Sequence, residues 1–532
     1  MVNVLGWRWR TFMIFAIALL LINLSGCTQV SRSLSQPHST QGNRLLEFVP
    51  KYSIFATVVD ATINPGKVWP RSNFAESFSS AATAIFSPLA IGFDEEILPW
   101  LGNNVVFAIT DKDLDRDRRN GRQSGYLLAA DVADSDRLRE FLEFFWQRQS
   151  LAGRQTVLLN DSGIPIIFGA VGTQQLATAL VGKSTFLVAN DVRVLQQSLR
   201  AAQAPDLQLL GQSCCATVWM NLRLPEFLDW LGVAAPEKLS LLSAVRWRQL
   251  NTAAEFYPQQ VVLTTALTRS DDGPVAEIIE PGPAVEANTL AQYVPESVAW
   301  VAMGHDLRPL WTELQNELAH YQQIPSVVQR WRQWLSTQLA QTLADPVTQL
   351  LSGDYAVGQL GDGAGLVIAR EANPTVIAQL NSIAEQQGLT VSQFLLKGQL
   401  VTAWSRLKTR VDTRNRETTV ETDLVGVHTE ADGYHLFSTS IGGLTAALDA
   451  PGQNLSSDQQ FQHAVRLMNT PNQGYVYGTW PDLERLLSSD RWFSLVNPVL
   501  QPWSQSIDAI ALTSYGQTAN QSTGTVSIQL KN

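Results

Sequence analysis

Cysteine is scarce: among 532 residues it stands only at positions 27, 214 and 215. Because Cys214 and Cys215 are adjacent, no disulfide framework can staple the chain, and its stability has to come from packed cores. The adjacent pair reads as two buried thiols in an apolar strand, with a strained vicinal ring as the alternative. Charge is also sparse at 16%, and acids outnumber bases by 48 to 38. An acidic surface repels phosphate backbones, which argues against nucleic acid as a partner and disfavours anionic lipid headgroups. There are six histidines, His38, His305, His320, His428, His435 and His463. No two of them have the spacing of a helical zinc pair with its glutamate, and no serine lies in a nucleophile elbow. No motif calls for a cofactor, so none is expected.

What is present begins with an address. After Arg8 and Arg10, Thr11 to Leu24 (TFMIFAIALLLINL) is almost wholly apolar. That is shorter than the roughly 20 residues needed to cross a bilayer as a helix, so residues 1–26 read as a signal peptide. The run ends in Leu24, Ser25, Gly26 and Cys27, the pattern of a bacterial lipobox. Small residues let the peptidase reach the bond before Cys27, whose thiol receives a diacylglycerol. Acylated there, the chain would sit on a membrane of the cell envelope, facing the periplasm or exterior, without crossing it. Residues 27–43 are polar after the cysteine and read as a flexible tether. Cleavage leaves 36 bases against 48 acids, a net charge of −12.

The body carries an internal repeat. Asn43 to Pro50 leads into an apolar strand, and so does Asn288 to Pro295, 245 residues later. Phe93 onward (FDEEILPWLGNNVVFAIT) lies over ADPVTQLLSGDYAVGQL, setting Gly102 over Gly353. TFLVANDVRVLQQSL, from Thr185, lies over YHLFSTSIGGLTAAL, from Tyr434, with Leu187 over Leu436. Pro225 falls over Pro481 in a fourth match. Four matches in one order predict two copies of one domain, at 44–271 and 289–532, joined by a linker rich in proline and acid at 272–288. Within each copy short strands alternate with capped helices, as in GYLLAADVADSDRLREFLEFF, where Asp134 can be the N-cap. The expected fold class is α+β, a mixed, largely antiparallel sheet with helices on it, repeated in tandem. Ser326 to Leu343 is expected to be an amphipathic helix packed on a sheet.

The lipobox, the Val-Pro opening before an apolar strand, the TFLVANDVRVLQQSL type of unit and the duplicated layout together resemble domain of unknown function 3352. That family is bacterial and mainly cyanobacterial. The resemblance implies an exported lipoprotein, but no activity, cofactor or catalytic residue.

Several segments imitate chemical motifs. Ala177 to Ser184 fits a relaxed phosphate loop, but the apolar run STFLVAN follows Gly182 and Lys183 where a helix is required, so a hairpin turn is expected, as at Asp432 and Gly433. Gly358 to Gly365 imitates a dinucleotide loop and is also followed by a strand. Asp111, Asp113, Asp115 and Asp117 alternate as in a calcium loop, and oxygen-rich loops can hold calcium. Arg116 and Arg122 occupy the places of the required glycine and glutamate, which makes a solvated hairpin tip the plainer reading. His305 and Asp306 follow a strand end, where an acid–base pair could sit, although Asp306 serves equally as the N-cap of LRPLWTELQNEL. His435 is a further candidate. Trp219 and Trp480 fall in equivalent strand-to-helix units, where they would line a cleft or fill a core.

The function expected from these features is binding or scaffolding by a lipid-anchored envelope protein, more simply non-enzymatic, with a cleft between the copies as its default ligand site. The membrane would be engaged through the N-terminal lipid, and an envelope protein or small ligand would be the partner. The first alternative is an envelope hydrolase with a dispersed site around His305, His435 and nearby carboxylates. The second is a lipid carrier, which requires a large apolar cavity.

Overall fold

The computed structural model describes residues 43–61, 92–117, 119, 121–171, 174–209, 217–230, 247–269, 290–308, 350–370, 374–412, 417–488, 504–517 and 520–531. The expectations for Cys27, the tether, Cys214, Cys215, His38, His320, the linker and the helix at 326–343 lie outside these residues. The chain divides into two compact units. One is Met1–Ser270 with Val496–Ser506 and Lys531–Asn532; the other is Asp271–Leu495 with Ile507–Leu530.

The first unit holds β1 (Phe55–Asp60), β2 (Leu101–Asp111), β3 (Gly125–Val132), β4 (Thr156–Asp161) and β5 (Ile164–Val171). Then come β6 (Gln174–Val181), β7 (Thr185–Ala189), β8 (Val218–Arg223), β9 (Trp247–Tyr257) and β10 (Gln260–Arg269). Its helices are α1 (Ser135–Leu151), α2 (Val192–Gln203) and α3 (Leu224–Trp230). The order across the sheet is β4-β5-β6-β7-β3-β2-β1-β8-β9-β10, each neighbour antiparallel.

The second unit holds β11 (Val298–His305), β12 (Asp354–Leu360), β13 (Gly365–Arg370), β14 (Thr390–Leu396) and β15 (Gln399–Asp412). Its remaining strands are β16 (Glu417–Ala431), β17 (Tyr434–Ser438), β18 (Gly474–Thr479), β19 (Ile507–Gln517) and β20 (Gln521–Leu530). The helices are α4 (Pro374–Gln386), α5 (Ile441–Asp449), α6 (Gln459–Val465) and α7 (Trp480–Leu487). Here the order is β14-β15-β16-β17-β13-β12-β11-β18-β19-β20, again antiparallel throughout. The fold is therefore mixed and sheet-rich, with helices in the minority.

Local chemistry explains the elements. Asp134 caps α1, its carboxylate accepting from the backbone N–H groups of Asp136 and Arg137 at 3.1 Å. Asp191 caps α2 through Arg193 N at 2.8 Å, and Ser440 caps α5 through Gly443 N at 2.9 Å. Each satisfies a donor that the first helical turn leaves unpaired. Gly182, at φ +61°, turns β6 into β7, so the relaxed phosphate-loop match is a hairpin. Gly358 to Gly365 likewise spans the hairpin from β12 to β13. Asp432 and Gly433, at φ +51° and +80°, form the two-residue turn between β16 and β17, where positive φ matches the twist of the strands.

Both faces of each sheet are covered. In the first unit Leu138, Phe145 and Trp146 of α1 pack with Trp100, Val171 and Phe186. Val194, Leu195 and Leu199 of α2 pack with Val106, Leu127 and Leu187 in a separate core. In the second unit Val376, Leu380 and Ala384 of α4 join Val357, Val367 and Trp404. Leu444 of α5 and Phe461 of α6 close the opposite core around Ile368 and Leu436.

Candidate functional site

The end of the second sheet gathers ionisable groups around a predicted residue. His305 closes β11 and stands opposite Asp354, the first residue of β12. Its Nδ1 lies 2.7 Å from Asp354 Oδ1, with 33% and 22% of the two side chains exposed. Arg370, at the end of β13, donates from Nη1 to the other oxygen of Asp354 at 3.4 Å. The contact fixes the orientation of the imidazole ring through Nδ1 and turns Nε2 away from Asp354. The arrangement is that of an oriented base.

Asp306 takes no part in that pair. Its backbone is left-handed, at φ +51°, and its carboxylate accepts from Arg308 three times: from the backbone N at 3.1 Å and from Nε and Nη2 at 2.7 Å each. Burial pushes this carboxyl up, but the hydrogen bonds and charge of Arg308, helped by His305, outweigh it and hold the group below the usual carboxylate range. The contact to Arg308 N is the one a helix N-cap makes. Tyr355, beside Asp354, is pushed up to about 12, first by burial and then by the negative charge of Asp306.

His435 is not brought to this group. The register runs Gly304, Tyr355, Ala369, His435 across β11, β12, β13 and β17. Residues in one such row share a face, so His435 points to the face opposite His305, and it stands three strand spacings away, about 14 Å. Its Nε2 lies 3.6 Å from Glu430, its cross-strand partner on β16. Burial lowers the His435 pKa, with Glu430 acting against that shift. On its side of the sheet lies a buried polar group that no local motif announces. His428 stacks on Phe437 with ring centroids 5.1 Å apart and is 5% exposed. Its Nε2 lies 3.1 Å from Asn381 Oδ1, which also accepts from Trp404 Nε1 at 2.8 Å. Burial, and next the neighbouring His435, depress His428 to about 4.

The four alternating aspartates of the first unit accept from backbone N–H groups of their own hairpin. Asp111 accepts from Asp113 N, Asp115 from Asp117 N and Asp117 from Arg119 N, each at 3.0 Å. Asp113 accepts from Gln123 N at 3.2 Å. These are turn-forming contacts, and among the described residues no three His, Cys, Asp or Glu side chains converge to hold a metal. The carboxylate that matters to this hairpin is Asp229 of α3. It is 1% exposed and accepts from Lys112 at 3.1 Å and from Arg122 at 2.9 Å. Trp230 Nε1 adds a bond to Ser124 at 2.9 Å.

Trp219 and Trp480 are each 5% exposed. Trp219 belongs to the core beneath α2 and Trp480 opens α7, and both rings are buried.

Asp354, Arg370, Asn381 and Asp229 are the residues that sequence reasoning missed. A capping aspartate or an i, i+4 pair can be read from spacing, whereas these four act across strands or between a helix and a hairpin. The β11–β12 register was the one signal that could have exposed Asp354.

No curated protein matches the chain. Solved structures titled crystal forms I and III of TP0453 align with 8% and 10% identity, each covering 44% of this chain and 82% of that one at a TM-score of 0.26. Crystal form IV aligns at 8% identity over 42% and 79%, with a TM-score of 0.25. Likeness at that level carries no functional argument. The family comparison is of another kind, because it spans residues 12–531, almost the whole chain, and the chain belongs to the family described as Protein of unknown function (DUF3352).

Proposed function

We propose that the chain is a lipid-anchored bacterial envelope protein, built from two copies of one α+β domain, that works by binding or scaffolding. The lipobox ending at Cys27 carries the proposal: a charged start, a fourteen-residue apolar run and Leu-Ser-Gly-Cys stand in the order that export and acylation need. The duplication is supported by the coincident ten-strand orders. It is supported too by Leu187 and Leu436, 249 residues apart, which occupy the same places: Leu187 pairs with Ala129 and Ala179, Leu436 with Ile368 and Thr429. Binding is favoured over catalysis because the two histidines of the dispersed-site alternative stand on opposite faces of their sheet. A Cys27→Ala variant should stay at precursor length and take up no acyl label; normal maturation and labelling would refute the anchor. Crosslinking in intact cells should capture a specific envelope partner, and a chain that crosslinks to nothing beyond random neighbours would remove the scaffold reading.

One observation favours a second reading. The 2.7 Å contact of His305 with Asp354 orients the imidazole, an arrangement that general acid–base chemistry uses, as in a hydrolase acting on envelope material. Turnover of an envelope polymer by the purified protein, lost in His305→Ala and strongly reduced in Asp354→Asn, would establish it; equal turnover in wild type and variants would end it.

A further inference from the structure

Large apolar side chains on the first unit are exposed along one flank. Phe144 and Leu151 of α1 are 58% and 82% exposed, and their spacing of seven puts them on one side of the helix, two turns apart. Residues 152–155 join α1 to β4, where Leu158 is 70% exposed. Leu158 pairs with Ile167, whose side chain packs in the α1 core, so Leu158 stands on the α1 side of the sheet. Among the described strands β4 pairs only with β5, which makes it an edge.

The chain outside the described residues says what can reach this flank. The tether ends at Asn43, and the next residue, Arg44, is held by a 2.7 Å bond from Nη2 to Ser184 Oγ. From the β7 end at Ser184, three strand spacings and three residues along β4 lead to Leu158, a path of about 17 Å. Sixteen residues of the flexible kind expected from the sequence have a typical reach of roughly 20–25 Å. The surface that receives the acyl chain of Cys27 is therefore within reach of the apolar flank.

We infer that this flank, Phe144 and Leu151 of α1 with Leu158 of β4, docks on the lipid surface that holds the anchor; the inference rests on the proposed acylation of Cys27. Side chains of this kind are stabilised on leaving water, and an anchor reached through a flexible tether limits the body's distance from the bilayer but not its orientation, so a second contact has a physical use. The net charge of −12 sets the lipid class, because anionic headgroups would repel the body. The fitting surface is zwitterionic.

The test uses the acylated full chain on phosphatidylcholine vesicles, read by hydrogen exchange. Amides of residues 144–158 should exchange about tenfold more slowly on vesicles than in lipid-free protein, the factor that burying one leucine supplies. The variant Phe144→Ser, Leu151→Ser, Leu158→Ser should sediment with vesicles and melt like the wild type, yet lose that protection. A wild-type chain that sediments with vesicles while residues 144–158 exchange as freely as in water overturns the docking and leaves the anchor standing. Protection that rises with protein concentration in the absence of lipid overturns it in favour of a second copy as occupant. Failure of the chain to acquire an acyl group in cells removes both readings.

Discussion

His428 shows how a buried ring becomes a pH-dependent part of the fold. Its contacts with Asn381 and Phe437 suit the neutral form, and burial depresses its folded pKa to about 4 from the ordinary 6.5. Between those values the unfolded chain binds more protons than the folded one, so the stability this group confers is complete above pH 6.5 and is lost as the pH falls to 4. The shift corresponds to about 3 kcal/mol. Denaturation of the second unit followed from pH 7 to pH 4 should show that loss, and His428→Gln should flatten it; an unchanged slope in the variant would assign the pH dependence elsewhere. At the same scale, millimolar calcium should leave the melting temperature unmoved, since Asp111, Asp113, Asp115 and Asp117 accept from neighbouring backbone. A calcium-dependent rise that disappears in Asp113→Ala with Asp115→Ala would contradict that. The alternation of those aspartates was plain in the sequence, but whether their oxygens face an ion or their own N–H groups depends on backbone angles that spacing does not encode.

At the scale of elements, capping and turn chemistry were local and therefore readable. Asp134 caps α1 as its position ahead of an apolar-periodic segment predicts, and Asp432 with Gly433 makes a hairpin. Gly433→Val should cost about 1–2 kcal/mol in chemical denaturation, because φ +80° is strained for a β-branched side chain. The clamp between α3 and the β2–β3 hairpin was not readable, because Asp229 lies 107 residues from Arg122 and 117 from Lys112. Removing the carboxylate leaves two partly exposed cations facing a buried pocket. Asp229→Ala should therefore lower stability by about 2 kcal/mol, less than the loss of a fully buried partner. A variant as stable as the wild type would show that water replaces the carboxylate.

For the whole molecule the governing quantity is charge. A chain with a formal net charge of −10 should leave duplex DNA unretarded at 0.1 M salt in a mobility assay; micromolar binding would require a basic patch that composition conceals. Composition, the apolar run with its lipobox and the repeated segments are properties of the chain order itself, so the sequence determined the expected address, the acidic character, the mixed sheet-and-helix class and the family. These depend on residue counts and neighbours along the chain. The tertiary structure alone decided which side of a strand each histidine takes, and so separated His305 from His435. It also supplied Asp354 and Arg370 to His305 and buried Trp219 and Trp480. Pairing across a sheet joins residues far apart in sequence, and a shift of one residue in register sends every side chain of a strand to the other face.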